Sequence, residues 1–136
     1  MGASSTRRVS GLTSAAKAML SAVAASRTTT VLVVPTDAEV ERMTADARFF
    51  LAALEGLSGA DVERSVLPLP SHEVDPYRGL KPHFDIASAR ARALHATATG
   101  AARLIVASVA ALLPRLSQPE RLKRAAATLT PGLEMA

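Results

Sequence analysis

Val31-Leu32-Val33-Val34-Pro35-Thr36-Asp37 is the stretch on which the fold turns. Four consecutive apolar residues, three of them β-branched, are too few for a helical stripe and do not alternate in polarity. That is the pattern of a strand buried on both faces of a parallel sheet. Pro35 ends the run, and Thr36 or Asp37 can cap a following helix, with Glu39 and Glu41 near its positive end. Upstream, Ala15 to Ala25 reads as a helix of small residues with Met19, Leu20 and Val23 on one face, and Arg27 to Thr30 is a polar break. Val9-Ser10 is the tip of a short strand ahead of it, and Gly11 to Ser14 the turn between them.

Downstream, Val40, Met43, Ala47, Phe50, Leu51 and Leu54 recur at helical spacing, so a helix is expected from about Ala38 to Leu54, stopped by Gly56. Ser58-Gly59-Ala60-Asp61 reads as a short loop leading to Val66-Leu67-Pro68-Leu69, a second apolar run. Its prolines confine it to a short or edge strand. Pro70 to Pro82 is irregular. His83 or Asp85 then opens a helix whose faces are set by Ile86, Ala89, Arg90, Ala93 and Leu94, and Gly100 ends it. Leu104-Ile105-Val106 is a third buried strand, Val109 to Leu113 a short helix cut by Pro114, and Pro119 to Arg124 a last helical stretch. Strands alternating with helices at this spacing imply βαβ crossovers, hence an α/β fold with a parallel sheet flanked by helices.

The chain of 136 residues is long enough for one core, and with 49% hydrophobic and 21% charged residues it has an ordinary globular composition. Aromatic residues make up only 3%, leaving few rings to stack on bases. The net charge of +4 suits association with nucleic acid without requiring it. There are no cysteines, which excludes disulfides, thiolate nucleophiles and thiolate metal sites and fits a cytoplasmic location. Met1-Gly2-Ala3-Ser4-Ser5-Thr6 fits a myristoylation pattern, and Arg7-Arg8 ahead of an alanine-rich stretch imitates an export signal. Lys17 interrupts that stretch, and Gly11 onward is better read as fold. No run approaches the roughly 18 apolar residues of a membrane span.

Gly11-Leu12-Thr13-Ser14-Ala15-Ala16-Lys17-Ala18 lies across a strand-to-helix junction and overlays the phosphate-binding pattern G-x-x-x-x-G-K followed by Ser or Thr. Gly11 and Lys17 are in register. Ala16 stands where the second glycine belongs, placing a methyl group where backbone must approach phosphate. Ala18 replaces the hydroxyl that holds Mg²⁺. Gly11, Thr13 and Lys17 therefore read as a degenerate, non-functional nucleotide loop. No hydrolysis is expected, and no catalytic or metal-binding residue is assigned.

These residues, with Val31 to Asp37 and the helix ending Arg48-Phe49-Phe50-Leu51, resemble the N-terminal region of bacterial transcription-repair coupling factors. The strongest block is Leu69-Pro70-Ser71-His72-Glu73-Val74-Asp75-Pro76-Tyr77, continuing through Pro82-His83-Phe84-Asp85-Ile86 to Arg90-Ala91-Arg92-Ala93-Leu94, with Ile105 to Leu116 after it. The resemblance covers about Gly11 to Glu134. It implies a partial RecA-like (P-loop NTPase-like) subdomain related to the first domain of the excinuclease B protein, the damage-verifying helicase of nucleotide excision repair. Residues 1–10 would then be a flexible tail, 11–127 the degenerate RecA-like domain, and 128–136 the truncated start of an inserted domain.

The tyrosine-rich, damage-probing hairpin of the excinuclease B protein has no counterpart, since only Tyr77 and Phe84 fall in its interval. The parent family is an ATP-dependent DNA translocase that displaces stalled RNA polymerase and recruits the excinuclease A protein. ATP and Mg belong to its distant motor domains, RNA polymerase and DNA to distant modules, and the excinuclease A protein mainly to the next domain. This chain would then need no cofactor, contact its neighbouring domains and have no membrane partner. The alternative reading is a stand-alone basic nucleic-acid-binding or weak nucleotide-binding P-loop domain.

His72, Glu73 and Asp75 lie on irregular chain without metal-ligand spacing, so a solvated or loop-tethering role is expected. His83 is expected as a helix cap and His95 on a helix surface. Arg90, Arg92, Arg103, Arg115, Arg121, Lys123 and Arg124 make the C-terminal half basic, and a solvated face or contacts with neighbouring domains are expected of them ahead of phosphate contact. Phe49 and Phe50 are adjacent and cannot both face one core.

Overall fold

The computed structural model describes residues 6–72 and 81–126. Its elements in chain order are α1 (Ser14–Ala25), β1 (Thr30–Val34), α2 (Asp37–Glu55), α3 (Gly59–Ser65), β2 (Val66–Leu69), α4 (Phe84–Thr99), β3 (Leu104–Ser108), α5 (Val109–Leu112) and α6 (Pro119–Ala125). The three strands form one parallel sheet in the order β1-β3-β2, with Thr30 opposite Leu104 and Val66 opposite Leu104. The chain passes from β1 to the far edge through α2 and α3, then returns to the centre through α4. Right-handed crossovers in opposite directions put their helices on opposite faces.

The packing follows. One core joins α1, α2 and α3 to Val34, Val66, Leu104 and Val106, and the other joins α4 and α5 to Leu67, Leu69, Ile105 and Ala107. The central strand β3 is buried throughout. Gly56 ends α2 in the left-handed conformation, with φ +65°, where a side chain would be strained. The mixed α/β architecture with a parallel sheet is as expected. The readings of Glu73, Asp75, Tyr77 and residues 128–136 lie outside the described residues.

Four expectations are corrected. Residues 6–12 contain no strand, so nothing leads into α1 as a P-loop strand would. In α1 the buried residues are Ala18, Ala22 and Ala25, while Met19 and Leu20 are exposed. Alanines admit the close approach of α1 to α2, and the larger side chains, one position round the helix, are left outside. Ser58 to Asp61 is the start of α3, because the Ser58 hydroxyl accepts from the Asp61 amide at 3.2 Å and donates to its carboxylate at 2.5 Å. β1 is not buried on both faces. Val31 and Val33, opposite Ile105 and Ala107 on the α4 side, are 55% and 49% exposed.

The hydrogen-bond phase of each edge strand explains more. The Thr30 amide donates to the Arg103 carbonyl at 2.8 Å, so Thr30, Leu32 and Val34 bond toward β3. The amides and carbonyls of Val31 and Val33 then point outward, with no partner among the described residues. On β2 the outward positions are Val66 and Pro68. The Val66 amide bonds the Val62 carbonyl, the Val66 carbonyl accepts from Arg48 Nε at 3.1 Å, and Pro68 has no amide hydrogen. The β2 edge is sealed, and the β1 edge is open.

Candidate functional site

The stretch that overlays the nucleotide-loop pattern is built as a helix start. Gly11 has φ +77° and a Cβ there would meet no atom within 4 Å, so the glycine serves the turn of the chain and no close approach. Thr13 is the N-cap of α1, its hydroxyl accepting from the Ala16 amide at 3.3 Å. The Lys17 amide donates to the Thr13 carbonyl at 3.0 Å, and the Lys17 side chain is exposed. Gly11, Thr13 and Lys17 are thus neighbours in one cap. The Thr13 side chain already occupies an amide that a phosphate would use.

In open α/β sheets the ligand crevice lies beyond the carboxyl ends of the strands. Here the loops leaving all three strands converge at that position. Asp37, just after β1, takes the Ser71 amide at 2.8 Å on one carboxylate oxygen and the Ser71 hydroxyl at 2.5 Å on the other. Ser71 follows β2, and its bond to Asp37 spans the end of β3. The Ser108 hydroxyl, at the end of β3, faces the same carboxylate and accepts from the Ala111 amide at 3.1 Å. The expectation of Asp37 as a helix cap is corrected, because Thr36 holds the cap position and the Asp37 carboxylate is turned across the sheet instead.

Arg90 of α4 is buried beneath this clasp and donates to the Pro70 carbonyl at 2.5 Å, with longer 3.5 Å contacts to the Ala111 carbonyl. Burial of Asp37 raises its pKa, but bonds from Ser108 and Ser71 and the charge of Arg90 outweigh this and hold it below the ordinary value. For Arg90 the order is reversed: burial lowers its pKa, against the attraction of Asp37. His72 is half-buried, lowered in pKa first by burial and then by Arg90, and its Nδ1 is buried without a hydrogen-bond partner.

The cluster therefore ties three loops together and leaves no serine beside a free base. The hydroxyls of Ser71 and Ser108 are engaged, and the carboxylate bonded to Ser71 is held ionised. Among the described residues no group of three or more His, Asp or Glu converges as metal ligands, and no helix is long and apolar enough to cross a membrane. Of the seven basic residues named from the sequence, Arg90 is buried and Arg103, partly exposed, is held in structural bonds. Arg103 makes a bidentate pair with Glu55 at 2.5 Å and donates to the Ala25 carbonyl at 3.2 Å, joining the ends of α1 and α2 to the start of β3. Arg92, Arg115, Arg121, Lys123 and Arg124 are all exposed, as a solvated face requires. His83 caps α4, its Nδ1 accepting from the Asp85 amide at 3.4 Å. Phe50 packs against the core while Phe49 is exposed, their rings meeting edge to face at 5.3 Å.

The sequence points to a different set of residues. Its candidate residues sit on α1, whereas the polar cluster joins positions far apart in the chain. One signal is present: Arg90 precedes Ala93 by three on the apolar face of α4, so its burial is readable from periodicity. No family model, curated protein or solved structure matches the chain.

Proposed function

We propose that this chain is a non-catalytic scaffold domain, of partial RecA-like type, within a transcription-repair coupling factor. The observation that carries the scaffold reading is the asymmetry of the sheet. One edge is sealed by Pro68 and by bonds from Val66, while the other leaves the backbone of Val31 and Val33 unpaired among the described residues and their side chains uncovered. Parallel sheets are ordinarily covered on both faces, and an open apolar edge favours a further strand from a neighbouring part of the same protein.

The polar cluster supports the same reading, since Asp37 is bonded by Ser71 and Ser108 while Arg90 donates to loop carbonyls, and together they brace the loops. The capped start of α1 supports a role without nucleotide turnover. Motor activity, displacement of RNA polymerase and recruitment of the excinuclease A protein would then reside in other parts of the parent. Assignment to the coupling-factor family rests on the residue blocks from Gly11 to Leu116 and beyond.

The test is the size of the native protein in its source cells, by immunoblot with an antibody raised to this chain. A band many times heavier than 14.1 kDa is expected. A single band at that mass would overturn the proposal. Uptake of Mg-ATP by the wild-type chain would overturn the non-catalytic part alone.

A further inference from the structure

A cavity of about 250 Å³ lies between the last turn of α3, β2 and the second half of α4. Leu67, Ala96 and Ala101 contribute apolar surface, and Arg64, Arg92 and His95 stand around it. The Thr99 hydroxyl on the same wall is spent on its own helix, donating to the His95 carbonyl at 3.0 Å. The lining is thus an aliphatic floor with a cationic rim.

The rim is available for binding. Arg92 is exposed, and neither Arg92 nor His95 has a side-chain hydrogen bond or ion pair among the described residues. Arg64 pairs with Asp61 at 2.6 Å, but both side chains are more than half exposed, and such a pair exchanges readily in water. A third guanidinium, Arg48, is fixed on the Val66 carbonyl, where it feels the charge of Glu63 first and then that of Arg92. No carboxylate is among the described residues that line the cavity.

Size and shape select the occupant. The volume is below the roughly 300–1,000 Å³ of pockets that enclose a whole small molecule, and it suits one large side chain. No phenylalanine, tyrosine or tryptophan among the described residues lines the cavity, and His95 offers one ring where single-stranded nucleic acid is held by successive stacked bases along a basic groove. The adjoining β2 edge cannot accept a strand, because its outward positions are Val66 and Pro68. We propose that this cavity is a docking site for an acidic peptide segment of a partner protein. One aliphatic or aromatic anchor would sit on Leu67, Ala96 and Ala101, with flanking carboxylates held by Arg64 and Arg92. Complementary charge then surrounds an apolar anchor pocket, the arrangement in which a single buried side chain dominates binding. The site is independent of the family to which the chain is assigned.

The test is titration of the full ¹⁵N-labelled chain with a synthetic peptide in which a leucine is flanked on each side by two aspartates. Saturable amide shifts are expected at Leu67, Arg92, Ala96 and Ala101. Changing the aspartates to asparagine, or the leucine to alanine, should weaken binding by about tenfold, as should Arg92→Glu. Arg92 is exposed, so the variant should keep its unfolding midpoint, which a thermal melt checks. Equal binding of the neutral peptide, or no saturable shift at these residues, overturns the proposal. So does a single-stranded oligonucleotide that shifts the same residues with steep salt dependence, which would make the surface a nucleic-acid site.

Discussion

The two edges of the sheet are built from similar apolar runs and finish in opposite states. Val66-Leu67-Pro68-Leu69 turns Val66 and Pro68 outward, where one lacks an amide hydrogen and the other has both backbone groups occupied. Val31-Leu32-Val33-Val34 turns Val31 and Val33 outward with nothing to receive them among the described residues. The faces differ in the same way, because α4 covers Leu67 and Leu69 but leaves Val31 and Val33 half in solvent. Apolar content alone does not distinguish a finished edge from an open one. Hydrogen-bond phase and the reach of the nearest helix do.

Removing what both edges share should have the largest effect. Leu104 is fully buried in the central strand, opposite Thr30 on one side and Val66 on the other. Leu104→Ala should cost about 2–5 kcal/mol in urea unfolding. A loss of less than about 1 kcal/mol, small for a core truncation, would mean that β3 is not the packed centre on which both edges depend.

A smaller effect should come from the clasp that links the exit of β1 to that of β2. Asp37→Ala should cost about 1 kcal/mol at neutral pH, the scale of a partly exposed charged hydrogen bond. The wild-type contribution should show a defined pH dependence. The folded pKa of Asp37 is depressed, so its stabilisation is complete above the ordinary value of 3.8 and is lost as pH falls through the folded value. His72 is depressed too, so its cost begins earlier, as pH falls below its ordinary value of 6.5. Unfolding midpoints measured from pH 8 to pH 3 should therefore decline in two stages. His72→Gln should remove the first stage, and Asp37→Ala should shrink the second, to which Glu55 and Asp61 also contribute because their partners hold them below their ordinary values; an acid stage unchanged by Asp37→Ala would refute the clasp.

The smallest effect on stability, and the sharpest test of the comparison, should come from the edges themselves. Val31→Lys with Val33→Lys should change unfolding free energy by no more than about 0.5 kcal/mol, because both sites are half exposed. Sedimentation should nevertheless show concentration-dependent association in the wild type and none in the double variant. Pro68→Val should increase association by restoring an outward amide to β2. If association is the same in all three proteins, the two edges are equivalent and the asymmetry has no consequence.

Much of the framework is legible in the residues. The spacing of Val40, Met43, Ala47 and Leu51 locates α2, Gly56 and Gly100 mark helix ends, and the prolines place β2 at an edge. Where sequence and structure differ, the physical origin is shared. Hydrophobicity assigns Met19 and Leu20 to the buried face, but the close approach of α1 to α2 favours the alanines. Asp37 reads from its immediate neighbours as a cap, whereas its partner Ser71 is brought to it only by the crossover through α2 and α3. Arg103 reads as solvated charge because Glu55 and Ala25, its partners, are distant in sequence.

By itself the sequence determined the order and type of most elements, the parallel α/β class and the presence of alanine at positions 16 and 18, where a nucleotide loop needs a glycine and a hydroxyl. Those properties depend on local periodicity, turn residues and the presence or absence of single functional groups. The tertiary structure decided which edge stays open, which small residues form the α1 interface and which charges meet beyond the ends of the strands. Each of these depends on strand order and hydrogen-bond phase, which bring together groups that are far apart along the chain.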